Sequence, residues 1–275
     1  MKAQVSVIIP TKNEERNIER CLQSIKNQTF KEYEIIVVDN NSNDKTKKIA
    51  KKYAQLVFNK GPERSSQRNY GANHSKGVYV LFIDADMELT PRVLEECVTK
   101  ANRTKKFGGI IIPEIPIGKN YWERVKAFER SLYNKYGDAT TDAARFFPKD
   151  VFLKVGGFDL TITGPEDWDL TDSILKAGYA LERVKAEIFH YEYITSLTAL
   201  FKKKFYYAKK AHRYLKKQNI STVSPKTVYF LRPIFYKSWK EYFAHPLLFL
   251  GMVGLLSGEL IMGGLGFFLG KVKQL

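Results

Sequence analysis

Two carboxylates, Asp84 and Asp86, follow the apolar run Val78-Tyr79-Val80-Leu81-Phe82-Ile83, with a single alanine between them. Such a run reads as a strand buried on both faces. In open α/β sheets, ligands bind beyond the carboxyl ends of the strands. Two carboxylates this close repel each other unless a cation or a donor lies between them. The pair suits a hard divalent metal, Mg²⁺ or Mn²⁺, shared with substrate phosphate oxygens. A solvated turn with an Asp near a helix cap would use the same residues.

Four other groups have types that can do chemistry. Asp39 ends the run Glu34–Val38; it can accept bonds from a ribose or a base N–H, or cap the next helix. Arg64 and Arg68 are four apart and share a helix face, where a guanidinium can meet a diphosphate or stay solvated. Glu166-Asp167-Trp168-Asp169 puts acids in the first turn of a helix. The helix dipole favours them there for structural reasons alone. The functional alternative aims one carboxylate at an acceptor hydroxyl, with Trp168 packing to raise its basicity. His190 closes a short strand, either as a structural residue or as a third metal ligand. Neither G-x-x-x-x-G-K-[ST] nor G-x-G-x-x-G occurs. A nucleotide is therefore gripped by neither fingerprint, and a metal is left to neutralise its phosphates.

These residues need a sheet to hold them. Val5–Ile9, Glu34–Val38, Gln55–Phe58, Val78–Ile83 and Gly109–Ile112 read as strands. Helices are expected from about Glu14, over Lys45–Ala54, Ser65–His74 and Pro91–Asn102, so strands and helices alternate as in a parallel-rich α/β sheet. After Pro113 the pattern changes. Tyr121–Tyr136 is an aromatic-rich helix, Arg145-Phe146-Phe147 is extended, and a helix opens at Glu166 and ends at Gly178.

Five segments, in this order, resemble the family 2 glycosyltransferases. They are Val7-Ile8-Ile9-Pro10-Thr11-Lys12-Asn13-Glu14, Ile36–Thr46, Arg68-Asn69-Tyr70-Gly71-Ala72, Phe82-Ile83-Asp84-Ala85-Asp86 and Gly164-Pro165-Glu166-Asp167-Trp168-Asp169-Leu170. The resemblance covers about residues 4–192. It implies an α/β fold of the GT-A type, with a Rossmann-like, mixed, mostly parallel sheet flanked by helices. It also implies an inverting transfer from a UDP- or GDP-sugar that depends on Mn²⁺ or Mg²⁺. On this resemblance Pro10, Thr11 and Glu14 line the nucleoside pocket and Asp39 holds the base. Asn41 and Arg68 lie on the nucleotide-sugar side. Asp84 contacts the ribose side and Asp86 coordinates the metal, with Asp84 and His190 as further metal ligands. Asp167 is the general base, and Glu166, Trp168 and Arg145 lie on the acceptor side. The chain has Asp39-Asn40-Asn41-Ser42 where the dolichyl-phosphate-mannose synthase branch has Asp-Asp-Gly-Ser, which argues against a mannosyl donor.

The formal net charge is +16. Residues 201–275 carry fourteen lysines and arginines against Glu241 and Glu259, so 12 of those charges sit in the tail. Phe201, Phe205, Ala208, His212 and Leu215 mark the apolar stripe of a basic amphipathic helix. Aromatics from Tyr229 to Phe243 follow, and then Ala244–Gly270, apolar except for His245, Ser257 and Glu259. Together these read as membrane attachment. A single span would bury Glu259 at a cost of about 2.5–3.5 kcal/mol. A re-entrant hairpin turning near Gly258 or Gly263-Gly264 would return Lys271 and Lys273 to the cytoplasmic side. The expected domains are 1–195 (catalytic), 196–243 (basic and interfacial) and 244–270 (transmembrane or re-entrant). Membrane attachment with a cytoplasmic catalytic domain suggests a lipid-linked acceptor. The spacing Gly254-x-x-x-Gly258 admits a homodimer through the tail. Cys21 and Cys97 read as small core residues, with no zinc pattern and no signal peptide. Two rival readings are a nucleic-acid-binding protein using the basic tail and a non-catalytic membrane scaffold on the same fold. The apolar stretch beside the charge argues against nucleic acid, and the intact acidic positions argue against a scaffold.

Overall fold

The computed structural model describes residues 3–138 and 140–272. The chain begins β1 (Val5–Thr11), α1 (Ile18–Lys26), β2 (Tyr33–Asp39), α2 (Thr46–Ala50), β3 (Leu56–Asn59), α3 (Arg64–Asn73), β4 (Tyr79–Phe82) and β5 (Met87–Leu89). It continues through α4 (Val93–Arg103), β6 (Phe107–Ile111), β7 (Glu114–Ile117), α5 (Tyr121–Tyr136), β8 (Phe146–Pro148), α6 (Lys149–Lys154) and α7 (Glu166–Lys176). Last come β9 (Ala180–Arg183), β10 (Ile188–Tyr191), α8 (Leu197–Gln218), α9 (Pro233–Lys237), α10 (Trp239–Ala244) and α11 (Pro246–Val272).

Two compact units result. One holds Met1–Glu114, Ala143–Leu160 and Asp169–His190; the other holds Ile115–Asp142, Thr161–Trp168 and Tyr191–Leu275. The division is discontinuous, where the sequence suggested the linear blocks 1–195, 196–243 and 244–270. Ile115–Asp142 and Thr161–Trp168 join the tail.

The first unit is built on a seven-stranded sheet of order β3-β2-β1-β4-β8-β6-β9. Its β1–β2, β1–β4, β2–β3 and β6–β9 pairs are parallel, and β8 is antiparallel to both β4 and β6. The sheet is thus mixed and mostly parallel, as the strand–helix alternation predicts. Val7, Ile9, Ile35, Val37 and Leu81 pack on one face, while Ile8, Ile36, Val38, Val80 and Phe82 pack on the other. This two-residue period buries nearly every residue of β1, β2 and β4 on one face or the other, which is why those runs lack polar alternation. The helix after β2 is shorter than expected. Beyond Ala50 the chain tightens into i→i+3 bonds from Lys52 N to Ile49 O and from Tyr53 N to Ala50 O. Strand β5, too short to show in the sequence, pairs antiparallel with β10 and sets Met87 opposite His190.

The second unit is helical. Asn120 and Glu123 form a capping box on α5, and the Ser196 hydroxyl accepts from Ala199 N to cap α8. Its core joins Val125, Phe128 and Leu132 with Tyr229, Ile234, Met252, Leu255 and Leu256. Helix α11 runs unbroken through Gly258, Gly263 and Gly264, so neither turn of the hairpin alternative forms. Instead Gly258 faces the Phe201 ring, and Gly266 and Gly270 face the backbone of Phe205 and Lys209. These glycines let α8 and α11 approach closely. Lys273 lies outside the described residues. By length and composition α11 is long and apolar enough to cross a membrane.

Candidate active site

The loops after β1 and β2 are laced together. Asn13 N donates to Ser42 Oγ at 2.8 Å, and Asn43 N donates to Asn13 Oδ1 at 3.0 Å. Glu14 N donates to Thr46 Oγ1 at 2.7 Å. Asn13 and Asn41 both take left-handed backbone (φ 55° and 50°), which asparagine tolerates better than most residues. Asp39 is fully buried and organises the corner. Its Oδ1 accepts from Thr11 Oγ1 at 2.8 Å and Ser42 Oγ at 2.5 Å, and its Oδ2 accepts from Ser42 N at 2.7 Å. The carboxylate thus folds the Asn40–Ser42 turn against β1; it does not cap the next helix, since α2 begins at Thr46 with Lys45 at its N-cap. Gln67, from α3, clamps the same strand ends by donating to Thr11 O at 2.9 Å and Val38 O at 2.6 Å. Pro10 and Thr11 are buried, Glu14 is half-buried and Asn41 is exposed. Burial pushes the Glu14 carboxyl above its ordinary value, a bond from Asn17 opposes this, and the nearby Asp86 and Asp84 charges add to it.

Beyond β4, one linked chain of charges joins the two aspartates. The buried Arg68 guanidinium donates from Nη2 to Asp84 Oδ1 at 2.7 Å. Arg145 Nη1 lies 3.8 Å from Asp84 Oδ2. Burial alone would raise the Asp84 pKa, but Arg68, Arg64 and Arg145 hold its carboxyl well below the usual range. Arg145 also donates from Nε and Nη2 to Glu114 Oε1 at 2.9 and 2.6 Å. Glu114 Oε2 lies 2.7 Å from His190 Nδ1. A carboxylate only accepts, so His190 Nδ1 carries a proton and donates to it. Nε2 lies 3.7 Å from Asp86 Oδ2.

Asp86 Oδ1 is buried without a hydrogen-bond partner among the described residues. A carboxylate with one such oxygen and an imidazole nitrogen 3.7 Å from the other fits a divalent cation. The Glu114–His190 contact is the arrangement that orients metal-bound histidines. Among the described residues no three His, Cys, Asp or Glu side chains converge on one point. Such a cation would complete its shell with water and substrate oxygens, as Mg²⁺ and Mn²⁺ do. Sequence reasoning missed Glu114. It directly follows the apolar stretch Phe107–Pro113, the same strand-end signal that marked Asp39 and Asp84.

Glu166, Asp167 and Trp168 open α7 within the second unit. Glu166 is buried and accepts from Gly164 N, folding the turn before the helix. The Trp168 indole N–H donates to Thr141 O at 2.9 Å. Asp167 is half-buried in the same helical turn. The expected site residues thus divide: the two aspartates, His190, Arg68 and the acceptor-side Arg145 share one network in the first unit, and the expected base Asp167 with the acceptor-side Glu166 and Trp168 belongs to the second.

A family model described as glycosyl transferase family 2 matches residues 6–157. Glycosyltransferase AglE of Haloferax volcanii is 31% identical over 192 residues, 64% of this chain and 63% of that protein. A Campylobacter jejuni protein named GalNAc(5)-diNAcBac-PP-undecaprenol beta-1,3-glucosyltransferase is 35% identical over 121 residues, 40% of this chain and 38% of that one. The chain spans less than two thirds of the length of either relative. The mannosyltransferase PcManGT of Pyrobaculum calidifontis, solved with GDP-Man and Mn²⁺, shares the fold at a TM-score of 0.60 and 18% identity. That likeness covers 94% of this chain and 75% of the other.

Proposed function

The chain belongs to glycosyl transferase family 2, and from that premise we propose that it is a metal-dependent, inverting glycosyltransferase. It takes a sugar from a UDP- or GDP-sugar and passes it to a hydroxyl or phosphate oxygen of a lipid-linked acceptor at the cytoplasmic face of a membrane. The observation that carries this reading is Asp86, with one buried oxygen unsatisfied, facing an imidazole that Glu114 orients.

Pro10, Thr11, Glu14 and Asn41 line the nucleoside pocket, and Asp39 and Gln67 hold the loops that form it. Asp84, locked by Arg68 and Arg145, faces the ribose. Asp86 and His190 would hold Mn²⁺ or Mg²⁺, which when bound would supply positive charge to the diphosphate leaving group. Asp167 accepts the acceptor's O–H proton on its carboxylate as that oxygen bonds to the anomeric carbon. The bond from that carbon to the diphosphate breaks, and the nucleoside diphosphate leaves with the electron pair on the opposite face. One base and no separate nucleophile give a single displacement with inversion. General-base assistance of this kind contributes about 10²–10⁴-fold.

Helix α11 and the basic α8 support membrane association. The lipid-linked acceptor is supported by the undecaprenol in the Campylobacter relative's name.

The test begins with a thermal-shift panel of UDP- and GDP-sugars with Mn²⁺, since a ligand of the folded state raises the midpoint. Transfer is then assayed with the donor so found. Asp86→Ala and Asp167→Asn are each expected to lower kcat by about 10²-fold or more. Full activity in both variants, or turnover unchanged by a chelator, rules the reading out.

A further inference from the structure

We propose that a cavity of about 330 Å³ in the second unit receives the hydrocarbon nearest the anionic group of a lipid-phosphate acceptor. This rests on the reading above that the acceptor is lipid-linked, and it locates where that lipid is held. The volume falls within the range of small-ligand sites, about 300–1,000 Å³.

The walls match an amphiphile with one anionic end. Pro165, Ala208, Ala211 and Leu260 are apolar and leave the space open because two of them are alanines. Gly263 and Gly264 on α11 add no side chain at all. Two ammonium groups also line the cavity, Lys204 and Lys226, against a single carboxylate, Glu259. Lys204 Nζ lies 3.5 Å from Glu259 Oε2 and 4.8 Å from the centre of the Tyr229 ring. Burial would lower the Lys204 pKa, but Tyr229 and Glu259 hold it above the ordinary value, so the group stays charged. Lys226 donates to the Tyr214 hydroxyl at 3.0 Å. The lining therefore carries a net positive charge beside an apolar volume.

The cavity also reaches the chemistry. Gly164, Pro165 and Trp168 form part of its wall, so it adjoins the turn of α7 that carries Asp167. Trp168 is fixed there by its bond to Thr141 O. A lipid seated in the cavity would present its phosphate end toward the helix turn that bears the proposed base. On α11 the exposed side chains Ile261, Leu265 and Phe268 offer apolar surface for the rest of the chain.

Filling the cavity tests this. Gly264 lines it, and a Cβ there meets no atom within 4 Å. A side chain at Gly264 therefore starts from an unobstructed Cβ, and Gly264→Leu puts bulk at the cavity wall. The full chain, in detergent micelles, is assayed with its donor sugar against a long polyprenyl phosphate and against geranyl phosphate, a two-isoprene analogue. Hydrolysis of the donor by water reports on donor binding and the proposed base without any need for the lipid. The Gly264→Leu variant should keep donor hydrolysis and thermal midpoint while its KM for the polyprenyl phosphate rises about tenfold or more, the usual loss when a pocket no longer admits an apolar group. Lys226→Ala should raise KM for both phosphates. If the wild-type chain uses polyprenyl phosphate and Gly264→Leu matches it within about twofold, the cavity assignment is overturned while the lipid-acceptor reading stands. If the wild-type chain glycosylates soluble glycans and no lipid phosphate, the acceptor reading itself falls.

Discussion

Glu114→Gln is the sharpest probe of the proposed metal site, because Glu114 touches neither aspartate yet governs the geometry between them. Its two oxygens serve different donors: Oε1 takes both bonds from Arg145, and Oε2 takes the His190 Nδ1 proton. Glutamine has one oxygen. If that oxygen stays with Arg145, the amide N–H₂ faces Nδ1. The imidazole must then accept there, which puts its proton on Nε2, the nitrogen 3.7 Å from Asp86 Oδ2, where a bound cation would need a lone pair. If the oxygen turns to His190 instead, the N–H₂ group meets the guanidinium, donor against donor. Either arrangement weakens the site. Loss of such an orienting carboxylate costs about 10–100-fold in metal affinity, or about 1.4–2.8 kcal/mol at 1.4 kcal/mol per tenfold. The assay is Mn²⁺ binding in the presence of nucleotide, read by calorimetry, alongside transfer rates across a Mn²⁺ series. Kd for Mn²⁺ should rise by that factor, and excess Mn²⁺ should restore most of kcat. A variant that binds Mn²⁺ within twofold of the parent refutes the role given to Glu114 and, with it, His190 as a ligand.

Three further substitutions test the frame. Asp84→Asn leaves the buried Arg68 guanidinium without this counter-charge; the stability lost in urea should be about 3–5 kcal/mol. The pH dependence follows from the same pair. Asp84's folded pKa is depressed, so below about pH 3.9 the unfolded chain binds the proton first and stability falls; Asp84→Asn should flatten that limb of the pH–stability curve. Gln67→Leu removes both N–H donors from the Thr11 and Val38 carbonyls; it should cost about 1–3 kcal/mol and weaken nucleotide binding in a thermal-shift titration. Gly266→Ala drives a methyl into the Phe205 carbonyl, whereas a methyl at Gly254 meets nothing within 4 Å. The first should destabilise by about 1–3 kcal/mol and the second should stabilise by about 0.5–1 kcal/mol, compared by melting in one detergent.

The sheet was legible because its strands are apolar on both faces, so each run ended visibly at a polar residue: Val38 gives way to Asp39, and Ile83 to Asp84. That same signal led to Asp86 without any knowledge of the sheet order. What could not be read was how a carboxylate's lone pairs are shared. Asp39 looks like an open acceptor in sequence, yet Thr11 and Ser42 take its oxygens across a parallel strand pair. Glu114 escaped notice because its partners, Arg145 and His190, lie 31 and 76 residues away. The discontinuous second unit was hidden for a similar reason. Nothing local in Tyr121–Tyr136 says that it packs with a helix that begins at Pro246.

The tail shows the consequence of such distant pairing most plainly. As a lone span, α11 would place Glu259 near mid-membrane without a partner. In the structure Glu259 is buried and accepts from Lys126 Nζ at 2.9 Å, with Lys204 Nζ at 3.5 Å. That removes the isolated charge but fixes Lys204 at the level of the middle of α11. Lys202 and Lys203 sit beside it on α8 and are exposed. A bilayer centred on Glu259 would have to take both, at about 2.5–3.5 kcal/mol each. Lying along the interface avoids that cost. There Trp239, Phe243, Leu247 and Leu250, all exposed, can enter the acyl boundary while the lysines meet anionic headgroups. Cys21 and Cys97 are buried, so single cysteines introduced at His245 and Lys271 can be labelled on a quiet background. In sealed vesicles a membrane-impermeant maleimide should reach both from the same side. Protection of one end alone would mean that α11 crosses the bilayer and that α8 leaves its side to let it do so.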